Sequence, residues 1–114
     1  MTKPRRPPAP AHLSDATRRW WLSVVTNYQL EQHHLRLLQL AAEAWDGAQA
    51  ARAALAEHGT TYADRYGAPR LRPEAALERD HRTAFARLIR ELDLDVEAPV
   101  SSRVGPPPLR SNRR

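Results

Sequence analysis

The stretch from Glu31 to His58 constrains this chain most: it holds no proline and repeats apolar residues at helical spacing throughout. Closed by Gly59, a residue placed for a left-handed C-terminal cap, it reads as one helix, a rod of roughly 27 residues and ~40 Å. A compact body of the about 83 residues between the two tails would have a radius of gyration near ~12 Å and a diameter of only ~30 Å. The rod is therefore expected to overhang a simple monomer.

A helical wheel sharpens the point. Arg36, Gln39, Glu43, Asp46 and Gly47 share a polar sector of roughly 100°. Leu35, Leu37, Leu38, Leu40, Ala41, Ala42, Ala44, Trp45, Ala48, Ala51, Leu55 and Ala56 spread over about 220°. A helix packed on one side needs a stripe of only ~100° or somewhat more. The rod is thus apolar on two sides. Its alanines allow close helix approach, although alanine is also simply the best helix former. The expectation is self-assembly through Leu37, Leu38, Ala41, Trp45, Ala48 and Leu55.

The segments on either side complete a mainly α reading: a three-helix core with a long central helix and one short β-hairpin or loop. A first helix starts at Leu13-Ser14, with Ser14 as N-cap, Asp15 in the first turn and Leu13 where a hydrophobic staple would sit. Trp20, Trp21, Val24, Val25 and Tyr28 give it one apolar face. At that spacing the two tryptophans read as core, with base stacking as the lesser alternative. After Gly59, Thr60-Thr61-Tyr62 has strand propensity, Asp64-Arg65-Tyr66-Gly67 has turn character, and Pro69 breaks any helix. A short exposed hairpin is expected there. Its Arg65, Arg70 and Arg72 beside Tyr62 and Tyr66 would either touch nucleic acid or form a solvated loop over the helices.

Pro73 and Glu74 open a third helix. Leu77, His81, Ala84, Phe85, Leu88, Ile89 and Leu92 form its apolar face, and Glu78 and Arg82 are a favourable i,i+4 pair. Arg79, Arg87 and Arg90 point the other way, as a solvated face or a phosphate-facing one.

Charge separates the ends from this core. The 114 residues carry a net +5. Residues 13–95 are nearly neutral, while Lys3, Arg5 and Arg6 make residues 1–12 basic, and Arg103, Arg110, Arg113 and Arg114 do the same for residues 96–114. Eight of the ten prolines also lie in these two tails, which therefore cannot bury enough apolar surface to offset chain entropy. The domain reading is a disordered basic arm (1–12), a helical core (13–95) and a disordered basic tail (96–114). Basic arms suit a polyanion such as DNA, RNA or anionic lipid, or merely aid solubility. Arg18 and Arg19 would continue the first arm onto the first helix. No apolar run approaches the ~20 residues of a membrane span, and the N-terminus does not read as a signal peptide. A small intracellular protein is expected.

Catalytic chemistry finds little support. With no cysteine in the chain, thiolate metal sites and cysteine nucleophiles are excluded. His33 and His34 are adjacent and point about 100° apart, so they cannot chelate one metal as an i,i+4 pair would. His12, His58 and His81 have no partner at ligand spacing. The glycines are isolated, which leaves no phosphate-binding loop, and no serine sits in a nucleophile elbow. No catalytic residue, metal or cofactor is assigned, and the chain reads as a non-enzyme.

The order of its segments resembles the phage terminase small subunit family. The residues that carry this are Ala9-Pro10-Ala11-His12-Leu13-Ser14, Arg19-Trp20-Trp21 and Tyr28-Gln29-Leu30-Glu31-Gln32-His33-His34-Leu35, then the alanine-rich Ala41-Ala42-Glu43-Ala44-Trp45-Asp46. Gly59-Thr60-Thr61-Tyr62 through Tyr66-Gly67-Ala68-Pro69-Arg70-Leu71-Arg72-Pro73 resembles the family's middle segment, with Leu71-Arg72-Pro73 where His-Pro is commoner. Glu78-Arg79-Asp80 and Phe85 through Leu94 resemble its final helix. The likeness covers residues 9–95. It implies a non-catalytic, mainly helical, ring-forming protein that binds double-stranded viral DNA at the packaging start. Such a protein presents DNA to a large subunit carrying the ATPase and nuclease, in the cytoplasm of an infected bacterium and outside the mature virion. A small helical adaptor or regulator, and a phage head–tail connector protein, are the alternatives.

Overall fold

Local capping chemistry sets where each helix starts. The structure, a computed structural model, describes residues 6–94. It is mainly helical, with α1 (Asp15–Asn27), α2 (Gln32–His58), β1 (Thr61–Ala63), β2 (Pro69–Leu71) and α3 (Pro73–Leu92). Ser14 caps α1 as expected, its hydroxyl accepting from the Thr17 amide at 3.3 Å. At the start of α2 the Glu31 amide donates to Nδ1 of His34 at 3.0 Å, so one of the adjacent histidines serves the helix end. Pro73 is the first residue of α3, where its missing N–H costs nothing. Asp93 closes α3 in the left-handed conformation, φ 55° and ψ 43°, which aspartate tolerates better than most residues.

Gly59 departs from the expected left-handed cap. Its φ is 85° but its ψ is 172°, an extended combination open essentially only to glycine. The chain therefore leaves α2 directly into β1.

α2 and α3 run antiparallel. Trp45 meets Phe85, Gly47 meets His81, and Arg52 meets Glu78, all in one register. Ala44, Ala48 and Ala51 bury among these contacts, on the side of α2 where α3 lies. About 140° around the helix, Leu38 and Ala42 join Leu13, Trp21, Val24 and Leu92 in the core. The wide apolar sector is thus divided between two helices of the same chain. Leu38 and Ala41 are fully buried and Ala48 nearly so; these three members of the expected assembly surface are core residues. Leu37 and Leu55 are half-buried and Trp45 is 44% exposed. Leu77, expected on the buried face of α3, is 49% exposed, because the bundle has narrowed to two helices at that end.

Part of the expected disordered arm is laid against the bundle. The indole N–H of Trp21 donates to the Pro7 carbonyl at 3.0 Å, and Ala9 packs on the core. His12 Nε2 lies 2.8 Å from Glu43 Oε2. A buried indole N–H needs an acceptor, and a proline-rich segment supplies one with little conformational entropy left to lose. The rest of the arm, residues 1–5, and the tail from residue 95 onward lie outside the described residues.

Candidate nucleic-acid interface

The β-hairpin continues the far end of the α2–α3 pair. Its strands pair Thr61 with Leu71, Tyr62 with Arg70 and Ala63 with Pro69, and all six residues are exposed. A two-stranded ribbon is marginal alone, so its order must come from the turn and the flanking helices. The Arg72 amide extends the ladder to the Thr60 carbonyl at 2.8 Å.

Asp64 organises the turn. Its carboxylate accepts from the amides of Tyr66 at 2.8 Å and Ala68 at 3.0 Å, and from Arg70 Nε at 3.0 Å. The Gly67 amide returns to the Asp64 carbonyl at 2.9 Å, and Gly67 has φ 82°. Aspartate first and glycine last is the favoured chemistry of such a turn. The Arg70 guanidinium, followed by the amides of Ala68, Tyr66 and Gly67, holds the Asp64 carboxyl below the usual aspartate range.

Strand alternation sorts the ribbon's two faces. Tyr62, Asp64, Arg70 and Arg72 share one; Thr61, Ala63, Pro69 and Leu71 share the other. The Arg72 guanidinium lies 5.8 Å from the Tyr62 ring centre, and at the tip that of Arg65 lies 5.6 Å from the Tyr66 ring centre. Tyr66 is 83% exposed. Arg72 is half-buried with its Nε unpartnered, so it supports Tyr62 more than it offers itself to solvent.

The remaining candidate arginines do not converge on this hairpin. Arg6, Arg18 and Arg19 are exposed near the start of the chain and on α1, and Arg79, Arg87 and Arg90 are exposed along α3. Arg79 lies 3.3 Å from Asp80; Arg87 and Arg90 make no ion pair among the described residues. The rise of α3 separates Arg90 from Arg72 by roughly 27 Å, so these groups form a line, not a patch. Lys3, Arg5, Arg103, Arg110, Arg113 and Arg114 lie outside the described residues.

Two features of the structure have no signal in the linear sequence. Arg52 joins the expected Glu78–Arg82 pair, at 3.2 Å against 3.6 Å for Arg82, so Glu78 ties α2 to α3. The α2–α3 register needed to see this is not written in either helix alone. The second is a cleft of about 350 Å³ lined by Ala16, Thr17, Trp20, Trp45 and Phe85, one aromatic from each helix. Trp20 and Trp45 lie 6.1 and 5.2 Å from the Phe85 ring centre. A wider groove of about 640 Å³ continues from Trp45 and Phe85 past Arg52, Arg79 and Arg82.

Among the described residues, no group of three or more histidine or acidic side chains is placed to hold a metal, and no helix is long and apolar enough to cross a membrane. In comparisons with known proteins, no family model, curated protein or solved structure matches the chain.

Proposed function

We propose that this chain is the small, non-catalytic subunit of a phage-type DNA-packaging terminase: it binds double-stranded viral DNA, assembles with copies of itself, and presents the DNA to a large ATPase and nuclease subunit. The observation that carries this reading is the exposed hairpin, where Tyr62, Tyr66, Arg65 and Arg70 face solvent at the end of the α2–α3 pair. The exposed arginines of this surface suit the phosphates of a duplex, and its tyrosines suit base faces wherever the duplex is locally opened. The segment order from Ala9 to Leu94 supports the same assignment by its resemblance to small terminase subunits. Exposed Leu22, Leu40, Trp45 and Leu77 offer apolar area for self-association.

Two measurements test the proposal. Titration of labelled duplex DNA over a range of salt should give an affinity that falls linearly on a log–log plot. Addition of the protein to its cognate large subunit should change that subunit's ATPase rate, with no turnover from this protein alone. A protein that binds no DNA at low salt, or hydrolyses ATP by itself, overturns the reading. The alternative of a helical adaptor has its own physical support in the aromatic cleft of Trp20, Trp45 and Phe85; a protein partner competing with no DNA contact would favour it.

A further inference from the structure

The geometry of the hairpin tip points to a finer specificity, which rests on the DNA-binding reading above: we propose that Tyr66 is a stacking platform for an unpaired nucleobase, so that the protein prefers locally opened or single-stranded DNA to intact duplex. Three features of the tip lead there.

The first is exposure without structural need. Tyr66 occupies the third position of the Asp64–Gly67 turn and is 83% exposed, so its ring contributes little to the core. Turn chemistry asks for aspartate at the first position and glycine at the last, and both are present. It asks nothing aromatic of Tyr66.

The second is preorganisation. The Tyr66 amide is fixed by Asp64 at 2.8 Å, and the same carboxylate holds Ala68 and Arg70. A ring on a fixed turn loses less freedom on binding than one on a loose loop.

The third is charge. Arg65 sits over the Tyr66 ring at 5.6 Å and has no acidic partner among the described residues, whereas Arg70 is held by Asp64 at 3.0 Å. An aromatic ring with one unpaired cation beside it matches a base with a neighbouring phosphate. Inside an intact duplex every base face is already stacked on its neighbours, so the ring would have to pry one open. An unpaired base has a face free.

The experiment uses the full chain and three labelled DNAs of equal length: single-stranded oligothymidine, a fully paired duplex, and the duplex with a central unpaired bubble. Fluorescence anisotropy reads the affinities across a salt series. The wild type should bind bubble and single strand more tightly than duplex. Tyr66→Ala should lose about tenfold for the bubble, lose clearly less for the duplex, and leave both salt slopes unchanged, because no phosphate contact is removed. Tyr66→Phe should keep the bubble preference. Arg65→Ala should instead flatten the slope for each DNA by about one phosphate's worth. Three results overturn the proposal while leaving DNA binding in place: no bubble preference in the wild type, a Tyr66→Ala variant that binds the bubble as tightly as wild type, or an equal loss for bubble and duplex. A Tyr66→Ala variant whose sedimentation shifts to a smaller oligomer also overturns it and assigns the ring to a contact between copies. Failure of the wild type to bind any of the three DNAs overturns the DNA-binding reading itself.

Discussion

The imidazole of His81 fills the space that a side chain at Gly47 would need: its Nε2 lies 2.7 Å from where a Cβ on Gly47 would stand, with Cδ2 and Cε1 at 2.8 Å. This contact lets α3 approach α2 at mid-length, and it gives a glycine inside a long helix a packing reason. Gly47→Ala gains about 1 kcal/mol of helix propensity but forces the ring aside, at an overpacking cost of about 1–3 kcal/mol. The net expectation is destabilisation. In a His81→Ala background the clash is gone, and the same substitution should stabilise by up to about 1 kcal/mol. Thermal unfolding of the four variants of this double-mutant cycle measures the coupling; additive effects would contradict the contact.

Leu38 and Trp45, both expected at an assembly surface, should separate folding from assembly. Leu38 is fully buried, so Leu38→Ala should cost about 2–5 kcal/mol. Trp45 is 44% exposed and adds an aromatic contact to Phe85, a pair worth about 0.5–1.5 kcal/mol beyond its area. Trp45→Glu should keep the helical circular dichroism signal and lower the sedimenting mass. A full-size oligomer in that variant would remove Trp45 from any interface.

Much of the helical frame was legible because caps and periodicity are local signals. Ser14, Pro73 and the absence of proline from Glu31 to His58 each mark a boundary within a few residues of chain. Partnership was less legible. The two apolar sides of α2 were visible, but which molecule covers them depends on how α1 and α3 return to it. Gly47 and Asp46 looked polar on a wheel because a wheel records residue type; the first takes the His81 ring and the second the start of α1. At the candidate interface the residue types Tyr62, Arg65, Tyr66 and Arg70 could be read from the sequence. The separation from Arg87 and Arg90 follows from the rise of a helix, whereas the fixing of the tip through Asp64 depends on how the turn closes.

Acid should loosen the contact between α1 and α2. Burial pushes the Asp46 carboxyl up, but hydrogen bonds from Thr17 at 2.6 Å and from the Ser14 amide and hydroxyl at 2.7 and 2.9 Å outweigh it, and the group sits below the usual aspartate range. For Glu43 the Gln39 amide is the largest influence; burial opposes it, and His12 adds to it, with a lowered result. Both groups are more acidic folded than unfolded. Their contribution is present above an unfolded value of about 4 and is lost as pH falls through the lower folded values. Thermal stability should drop across that window, and Asp46→Asn should show a shallower drop. Asp46→Ala, which strips three hydrogen bonds from the start of α1, should cost about 1–3 kcal/mol at neutral pH. An unchanged acid profile in both Asp46→Asn and Glu43→Gln would refute the assignment.

The N-terminal arm should divide at residue 5 in its effect. Residues 6–12 supply the Pro7 carbonyl to Trp21 and His12 to Glu43, so deleting residues 1–12 removes the acceptor of the Trp21 N–H and uncovers a residue that is buried with the arm in place. That deletion should destabilise by about 1–3 kcal/mol. Deleting residues 1–5 removes Lys3 and Arg5 and neither of those interactions. Its effect should appear in DNA binding alone, as a salt slope flattened by about 0.9 for each phosphate no longer neutralised. Removing residues 95–114 should flatten the slope in the same way through Arg103, Arg110, Arg113 and Arg114, with α1, α2 and α3 all retained. Arg87→Ala with Arg90→Ala tests the α3 line against the arms, since both are exposed and their removal leaves every described ion pair intact. If both short deletions bind duplex DNA at the wild-type affinity and slope while the α3 pair weakens it, the ends serve solubility and the DNA lies along α3. The reverse pattern places the DNA on the arms and leaves the α3 arginines as a solvated face.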